Sequence, residues 1–312
     1  MEIAQSRKSR VVAGVDIGGT KIAIGLIDYA GKVIVRGETP THVDQGPEAA
    51  SARMIEILRT YTQQTGSPIS GIGIGCTGPV DPTTGKLGDV CTLPDWRGWN
   101  PVQELSVALG VTVAMENDAD AAALGEARWG AGRGRATLIS ITVGTGIGAG
   151  IILNGEVYRG ADGSHPELGH HIVEPSGPLC TCGASGCWES LASGPALEQW
   201  YAKHNLDEQR TGKEICSMAR AGHVGAQNAV DRMAKYLGLG LSNVVSMFVP
   251  DVIALSGGIM QNSDLFLDRI RSLVLSNSRL VPAEKCEIAV SSLGADAGLI
   301  GAAQVWHSRF ER

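Results

Sequence analysis

Apolar and polar positions alternate with a short period at the start of the chain. The stretches "VVAGVDI" (11–17), "KIAIGLID" (21–28) and "KVIVRGE" (32–38) are apolar, rich in β-branched residues, and separated only by "GGT" and "YAG". Three strands joined by such tight turns predict an antiparallel meander. The period then lengthens. Over residues 47–63, Met54, Ile57, Leu58 and Tyr61 recur at helical spacing and predict one buried face. A strand at 71–78 follows, then a helix from Pro101 to Leu109, with Asn100 as N-cap and Gly110 as its stop. "VTVAMEND" (111–118) reads as a strand that runs straight into the alanine-rich helix "ADAAALGEARWG".

A second meander begins after that helix: "TLISITV" (137–143), the turn "GTG", "IGAGIIL" (147–153), the turn "NG", then "EVYRG". Like the first, it is a strand, a glycine–threonine turn and a second apolar strand with small residues, which points to an internal duplication. The remainder is mainly helical, with strands at 251–258 and 285–293 and helices at about 262–278 and 295–311. Strands alternating with helices in two related halves imply an α/β chain of two lobes facing a cleft. The length of 312 residues, too great for one typical core, agrees with two lobes.

Composition removes several classes of function. A net charge of −6 argues against a nucleic-acid surface, and the short basic run "RKSR" (7–10) reads as a solvated arm. No apolar run reaches the roughly 18 residues of a membrane span. The first ten residues lack the hydrophobic core of a signal peptide. Seven cysteines, odd in number and scattered outside one cluster, suit a reducing compartment, so a cytoplasmic location is expected.

Three glycine turns carry candidate chemistry. "DIGGTK" (16–21) lacks the spacing of a Walker A loop and is followed by a strand. Gly18 and Gly19 leave backbone N–H groups bare, Thr20 adds a hydroxyl and Lys21 a charge, together an anion-accepting concavity. Asp16, at the strand end, offers a carboxylate to a water on Mg²⁺. Gly144, Thr145 and Gly146 in "VGTGIGAG" form a second cradle, and Gly257 with Gly258 a third turn after a strand. Glycines in β-turns also simply make turns. The recurrence of the motif in duplicated meanders favours a nucleotide held between two lobes.

Asn117 and Asp118 lie where a strand passes into a helix, and carboxyl ends of strands face the ligand crevice in open α/β sheets. A carboxylate there can accept the proton of a substrate hydroxyl, although an Asp at a helix start is also a common cap. Asp120 is expected to be a surface carboxylate favoured by the helix dipole.

In "ELGHHIVEPSGPLCTCGASGCWES" (167–190), His170, Cys180, Cys182 and Cys187 give H-x9-C-x-C-x4-C. Three sulfurs and an imidazole suit a closed, structural tetrahedral Zn²⁺ site, with Gly183 and Gly186 folding the chain back between sulfurs. Glu167 and Glu189 flank the knot as acceptors for a polyhydroxyl ligand. His170 would bind the metal through one ring nitrogen and offer the other to a sugar oxygen. His171 is expected to be packed or solvated, and Glu174 to lie at the surface.

The motifs "DIGGTK", "ENDA", "VGTGIGAG", "ELGH", "CTCGASGCWE" and "LSGGI", in this order over about residues 11–303, resemble those of the ROK sugar kinases. That resemblance implies a two-lobed actin-like ATPase (ribonuclease H-like) α/β fold. The lobes are expected at residues 1–117, completed by the C-terminal helix 296–312, and at 118–295 with the zinc loop. It implies transfer of a phosphoryl group from Mg–ATP to a hexose or N-acylhexosamine, usually at the 6-hydroxyl, by enzymes that are often homodimers. Asp118 resembles the family's catalytic base; Gly78, Thr92, Asn117, Glu167, His170 and Glu189 resemble sugar-binding positions. The two glycine–threonine turns resemble the ATP phosphate loops, and Gly257 with Gly258 the adenosine-side turn. "GSHPELGH" departs from many members by His165-Pro166 before the glutamate. Glucose is the leading acceptor, ahead of fructose, N-acetylmannosamine, N-acetylglucosamine and allose. The family's sugar-responsive repressors carry a helix-turn-helix domain ahead of the first strand; with only ten residues there, that reading is disfavoured.

Overall fold

A computed structural model of the chain describes residues 10–206 and 208–311. Residues 7–9 of the basic run lie outside the described residues. Strands β1 (Val11–Ile17), β2 (Lys21–Asp28) and β3 (Val33–Pro40) form the expected antiparallel meander. Helix α1 (Pro47–Thr65) buries Met54 and Leu58 completely and packs Ile57 and Tyr61 partly against the same core. Then come β4 (Ile69–Cys76), the small hairpin β5 (Val80–Asp81) and β6 (Lys86–Leu87), and α2 (Pro101–Leu109). The Asn100 side chain accepts the Gln103 N–H at 2.9 Å, and Gly110 closes the helix at φ 67°, a left-handed conformation that glycine adopts without a Cβ penalty.

β7 (Thr112–Asn117) leads directly into α3 (Asp118–Trp129), and the second meander is β8 (Thr137–Val143), β9 (Ile147–Leu153) and β10 (Glu156–Val157). The chain continues through α4 (Trp188–Ala192), α5 (Gly194–His204), α6 (Gly212–Arg220), α7 (Val224–Phe248), β11 (Val252–Ser256), α8 (Leu267–Asn277), β12 (Glu287–Val290) and α9 (Ala297–Phe310). Two of these are shorter than expected. A 3-10 segment, Ile259–Leu265, kinked at Asn262, occupies the start of the helix anticipated from 262. Pro282 has no N–H for a ladder and caps the 3-10 turn Ala283–Lys285, so β12 begins only at Glu287.

The duplication appears in the topology. One sheet has the order β3-β2-β1-β4-β7 and the other β10-β9-β8-β11-β12. In each, the meander's first strand sits centrally and two later strands add to it in parallel. β1 is buried on both faces, which is why it reads as a continuous apolar run rather than an alternating one. One face of the first sheet carries the core of α1 and α2; on the other, Val12 and Ile27 pack with Leu299, Ala303 and Trp306 of α9. The helix lies so close that a Cβ on Gly73 would collide with the Ala302 carbonyl.

The chain divides into two compact units. The first comprises the described part of Met1–Gly134 with Gly150–His165 and Ser292–Arg312; the second comprises Arg135–Ala149 and Pro166–Ser291. Among the described residues, no helix is long and apolar enough to cross a membrane.

Candidate active site

In the first unit the β1–β2 turn is closed by the Gly18 N–H on the Lys21 carbonyl at 3.0 Å. Thr41, fully buried just beyond β3, donates its hydroxyl to the Gly18 carbonyl at 2.7 Å and its N–H to the Thr20 carbonyl at 3.0 Å. This buttress was not anticipated, because Thr41 meets the turn only through the strand pairing. A Cβ on Gly19 would lie 2.6 Å from Thr92 Cβ, so Thr92 stands against the glycine turn. Lys21 is exposed and paired with Glu38 at 2.9 Å.

β7 delivers the next group. The Asn117 side chain accepts the N–H groups of Ala119 at 2.9 Å and Asp120 at 3.4 Å, so the helix cap is Asn117. Asp118 occupies the first helical position, with one oxygen on the Ala119 N–H at 2.8 Å. Gly78 closes over the cap, since a Cβ there would lie 2.8 Å from Asn117 Nδ2. Asp16 and Asp118 flank Gly75: its Cβ would lie 3.6 Å from Asp118 Cα and 3.8 Å from Asp16 Oδ1. Burial first, and then the charge of Asp118, push Asp16 up to about 6. Burial likewise raises Asp118, against the Ala119 N–H and the charge of His165. Two crowded carboxylates with hard oxygen donors fit a hydrated Mg²⁺.

That crowding has a measurable consequence. Asp16 holds its proton in the folded state up to about pH 6, well above its usual 3.8. The folded state therefore binds more protons in this window, and stability falls as pH rises through it, by on the order of 3 kcal/mol. Asp16→Asn is expected to raise the melting temperature of the ligand-free protein at pH 7.5 and to leave it unchanged near pH 4. Calorimetry at the two pH values checks this; an equal effect of the substitution at both would rule it out.

Asp120 is not at the surface, as expected from its position in the first turn, but only 1% exposed. The segment after β10 covers it: His165 Nδ1 lies 2.9 Å from Asp120 Oδ2, and Arg159 pairs with the buried Glu116 one turn of chain earlier. These partners are 43 and 45 residues away, beyond the reach of any local pattern.

In the second unit the β8–β9 turn is closed by the Gly144 N–H on the Gly146 carbonyl at 2.9 Å, and the Gly144 carbonyl accepts the Gly194 N–H at 2.8 Å. Thr145 at its tip is exposed. Glu189, at the start of α4, accepts the Ile147 N–H through Oε2 at 2.9 Å, and a Cβ on Gly146 would collide with that oxygen. One carboxylate oxygen of Glu189 is thus committed to the turn itself. Glu167 precedes the 3-10 turn Leu168–His170, whose Gly169 packs on the Ile147 carbonyl. Gly257, at φ 94°, lies against Val143 at the end of β8, with Gly258 beside open space. Both turns therefore gather at the carboxyl ends of β8 and β11, where α/β sheets bind ligands.

The cysteine cluster also closes. Ligand atoms of His170, Cys180, Cys182 and Cys187 all lie within 4.8 Å of one another. His170 Nδ1 is 3.5 Å from Cys180 Sγ, and Cys182 Sγ is 3.5 Å from Cys187 Sγ. A tetrahedron with Zn–S bonds of about 2.3 Å and a Zn–N bond of about 2.0 Å sets such atoms roughly 3.5–3.8 Å apart, so the donors fit zinc. Gly183 and Gly186 have φ of 91° and 75°, and a Cβ on Gly186 would collide with the Glu174 carbonyl. His171 turns its Nδ1 to the Leu168 carbonyl at 2.6 Å and its ring to Trp188, a packed residue. Glu174 is held at the surface by Ser176.

Comparison with known proteins then decides the family. Residues 12–309 match the ROK family. The chain is a member of the ROK family. The glucokinase of Streptomyces coelicolor is 37% identical over 317 residues, covering 94% of this chain and 96% of its own length. The crystal structure of a ROK family glucokinase from Streptomyces griseus, in complex with glucose and AMPPNP, superposes with a TM-score of 0.79. It is 33% identical and covers 95% of this chain and 98% of its own. The xylose repressor of Bacillus spizizenii is 31% identical over 308 residues, covering 96% of this chain and 78% of the repressor. The expected fold class is borne out: this ROK protein has the α/β, actin-like architecture of two sheet-and-helix lobes. It is an ATP-dependent sugar kinase.

Proposed function

We propose that this kinase transfers the γ-phosphoryl group of ATP to the 6-hydroxyl of glucose, with Asp118 as general base. The observation that supports the sugar is the 37% identity with a glucokinase across nearly the whole chain. Phosphoryl transfer asks little covalent chemistry of a protein, so positioning and charge stabilisation carry the rate. Asp118 takes the hydroxyl proton as the oxygen attacks; Asn117, Gly78, Thr92, Glu167, His170 and Glu189 hold the sugar. The bare N–H groups of Gly18, Gly19, Gly144 and Gly146, with Thr20, Lys21 and Thr145, cradle phosphates, and Gly257 with Gly258 accept the adenosine side. Bound with the nucleotide, Mg²⁺ neutralises phosphate charge, and Asp16 would hold its water. His170, Cys180, Cys182 and Cys187 would hold a structural Zn²⁺ that fixes the sugar-side loop. A cytoplasmic homodimer completes this reading, and light scattering tests the dimer.

ADP release measured over glucose, fructose, mannose, N-acetylglucosamine, N-acetylmannosamine and allose tests the acceptor. Glucose is expected to give the highest kcat/KM; a higher value for any other sugar replaces it. The likeness to a xylose repressor favours a second reading, a sugar-responsive regulator. That reading predicts sugar binding without sugar-dependent ADP release.

A further inference from the structure

The β8–β9 turn is held at both ends by the short segment from Glu189 to Gly194. At one end the Gly194 N–H, at the start of α5, donates to the Gly144 carbonyl at 2.8 Å. At the other, Glu189 Oε2 accepts the Ile147 N–H at 2.9 Å. Within the segment, the Ser193 N–H returns to the Glu189 carbonyl at 3.1 Å. Peptide units are planar, so whatever accepts the Ile147 N–H also orients the Gly146 carbonyl. That carbonyl closes the turn on the Gly144 N–H at 2.9 Å. The Ile147 carbonyl is covered as well, by Gly169 between Glu167 and His170, where a Cβ would collide with it. A carboxylate adds no attraction to an anion cradle, so the place of Glu189 is explained by its two oxygens. Oε2 is taken by the turn, and Oε1 has no hydrogen-bond partner among the described residues.

We propose that Glu189 is a positioning residue for the donor phosphates, so that one carboxylate joins the sugar site to the β8–β9 turn. The inference rests on the readings of Glu189 as a sugar ligand and of this turn as a phosphate cradle. Oε2 fixes the plane of the Gly146–Ile147 peptide, and Oε1 is left to accept a sugar hydroxyl. A turn built on Gly144 and Gly146 has little stiffness of its own. Held in shape beforehand, it gives up less conformational freedom when phosphate binds. Glu189 therefore adds to donor affinity through the turn rather than by contact with the donor. The fit also depends on shape. A Cβ on Gly146 would collide with Oε2 and lie 3.2 Å from the Glu189 Cδ, so glycine at 146 leaves the carboxylate its place. All of these residues belong to the second compact unit.

Calorimetric titration of the full chain tests this, with Mg–AMPPNP in the absence of sugar and with glucose in the absence of nucleotide. Glu189→Ala is expected to raise both dissociation constants at least about fivefold, since each ligand loses the help of a charged hydrogen bond. In Glu189→Gln the amide oxygen still accepts the Ile147 N–H, so Mg–AMPPNP should bind within about twofold of native. Glucose, deprived of a charged acceptor, should bind at least about fivefold more weakly to that variant. Gly146→Ala alters the donor turn, yet it should weaken glucose at least about fivefold, because its Cβ displaces the carboxylate. Thr145→Asp sets a negative charge on the exposed tip and should weaken Mg–AMPPNP at least about fivefold. A residue that only supports the fold would weaken both ligands in step in Glu189→Ala and Glu189→Gln alike, and that result overturns the proposal. Native Mg–AMPPNP affinity in Glu189→Ala, with glucose weakened and Thr145→Asp impaired, overturns it too and leaves both readings standing. Native glucose affinity in Glu189→Ala removes the sugar-ligand reading, and native donor affinity in Thr145→Asp the cradle; either takes the proposal with it. Should Glu189→Ala fail to fold, Glu189→Gln and Gly146→Ala carry the test, and native glucose affinity in Gly146→Ala overturns the proposal.

Discussion

Asp118→Asn is expected to lower kcat at least about a hundredfold while leaving sugar affinity within about twofold. The substitution is nearly isosteric and leaves the helix start intact, because the cap is supplied by Asn117 and not by Asp118. Burial already holds the Asp118 carboxyl above its usual range, so removing its charge does not destabilise the unit at neutral pH. What it does remove is the acceptor for the hydroxyl proton. An amide cannot take that proton at neutral pH, so the loss falls on kcat, and on kcat/KM equally, as for an interaction made only in the transition state. Coupled ADP-release kinetics with calorimetric titration of the sugar separate the two quantities. Turnover at the native rate would exclude Asp118 as the base; a large rise in KM with native kcat would make it a binding group instead.

How far this site was legible depended on how far apart in sequence its partners lie. The strand–turn–strand units at 11–28 and 137–153 and the cap–proline–glycine frame of α2 are local patterns, and the described elements reproduce them closely. The cysteine spacing is local too, and its four donor atoms converge. By contrast, the buttress of Thr41 on the Gly18 turn, the Arg159–Glu116 pair and the burial of Asp120 under His165 arise only from tertiary packing. Asp120 illustrates the cause. A carboxylate in a first helical turn is ordinarily solvated, and nothing within ten residues of it announces the chain segment that covers it. Glu189 was legible as an acceptor but not in its actual engagement, since its hydrogen bond to Ile147 spans 42 residues.

Removal of metal from the cysteine cluster, by chelation or by Cys182→Ser, is expected to loosen residues 170–187 and weaken sugar binding together. The sequence between His171 and Cys187 contains no helix or strand, only isolated bridges of Ile172 with Cys187 and Leu179 with Ser185. Its large apolar side chains do not hold it down: Ile172 is 53% exposed and Leu179 75%. Ordering each residue costs about 1–2 kcal/mol of backbone entropy, and this segment has little apolar burial to offset that. Three thiolates gathered within the cluster would also repel one another without a divalent cation. Burial pushes the Cys187 thiol up, which opposes its ionisation until a metal displaces the proton. Serine at position 182 supplies a poor zinc ligand, so both treatments should act alike. A fall in the thermal midpoint on the order of 10 °C corresponds to about 3 kcal/mol in a unit of this size. Amide exchange should rise first over 171–187, and sugar Kd should increase at least about tenfold, because Glu167, His170 and Glu189 border the loop. Metal content measured alongside fixes the interpretation: unchanged sugar affinity in protein shown to have lost its zinc would separate the knot from the sugar site.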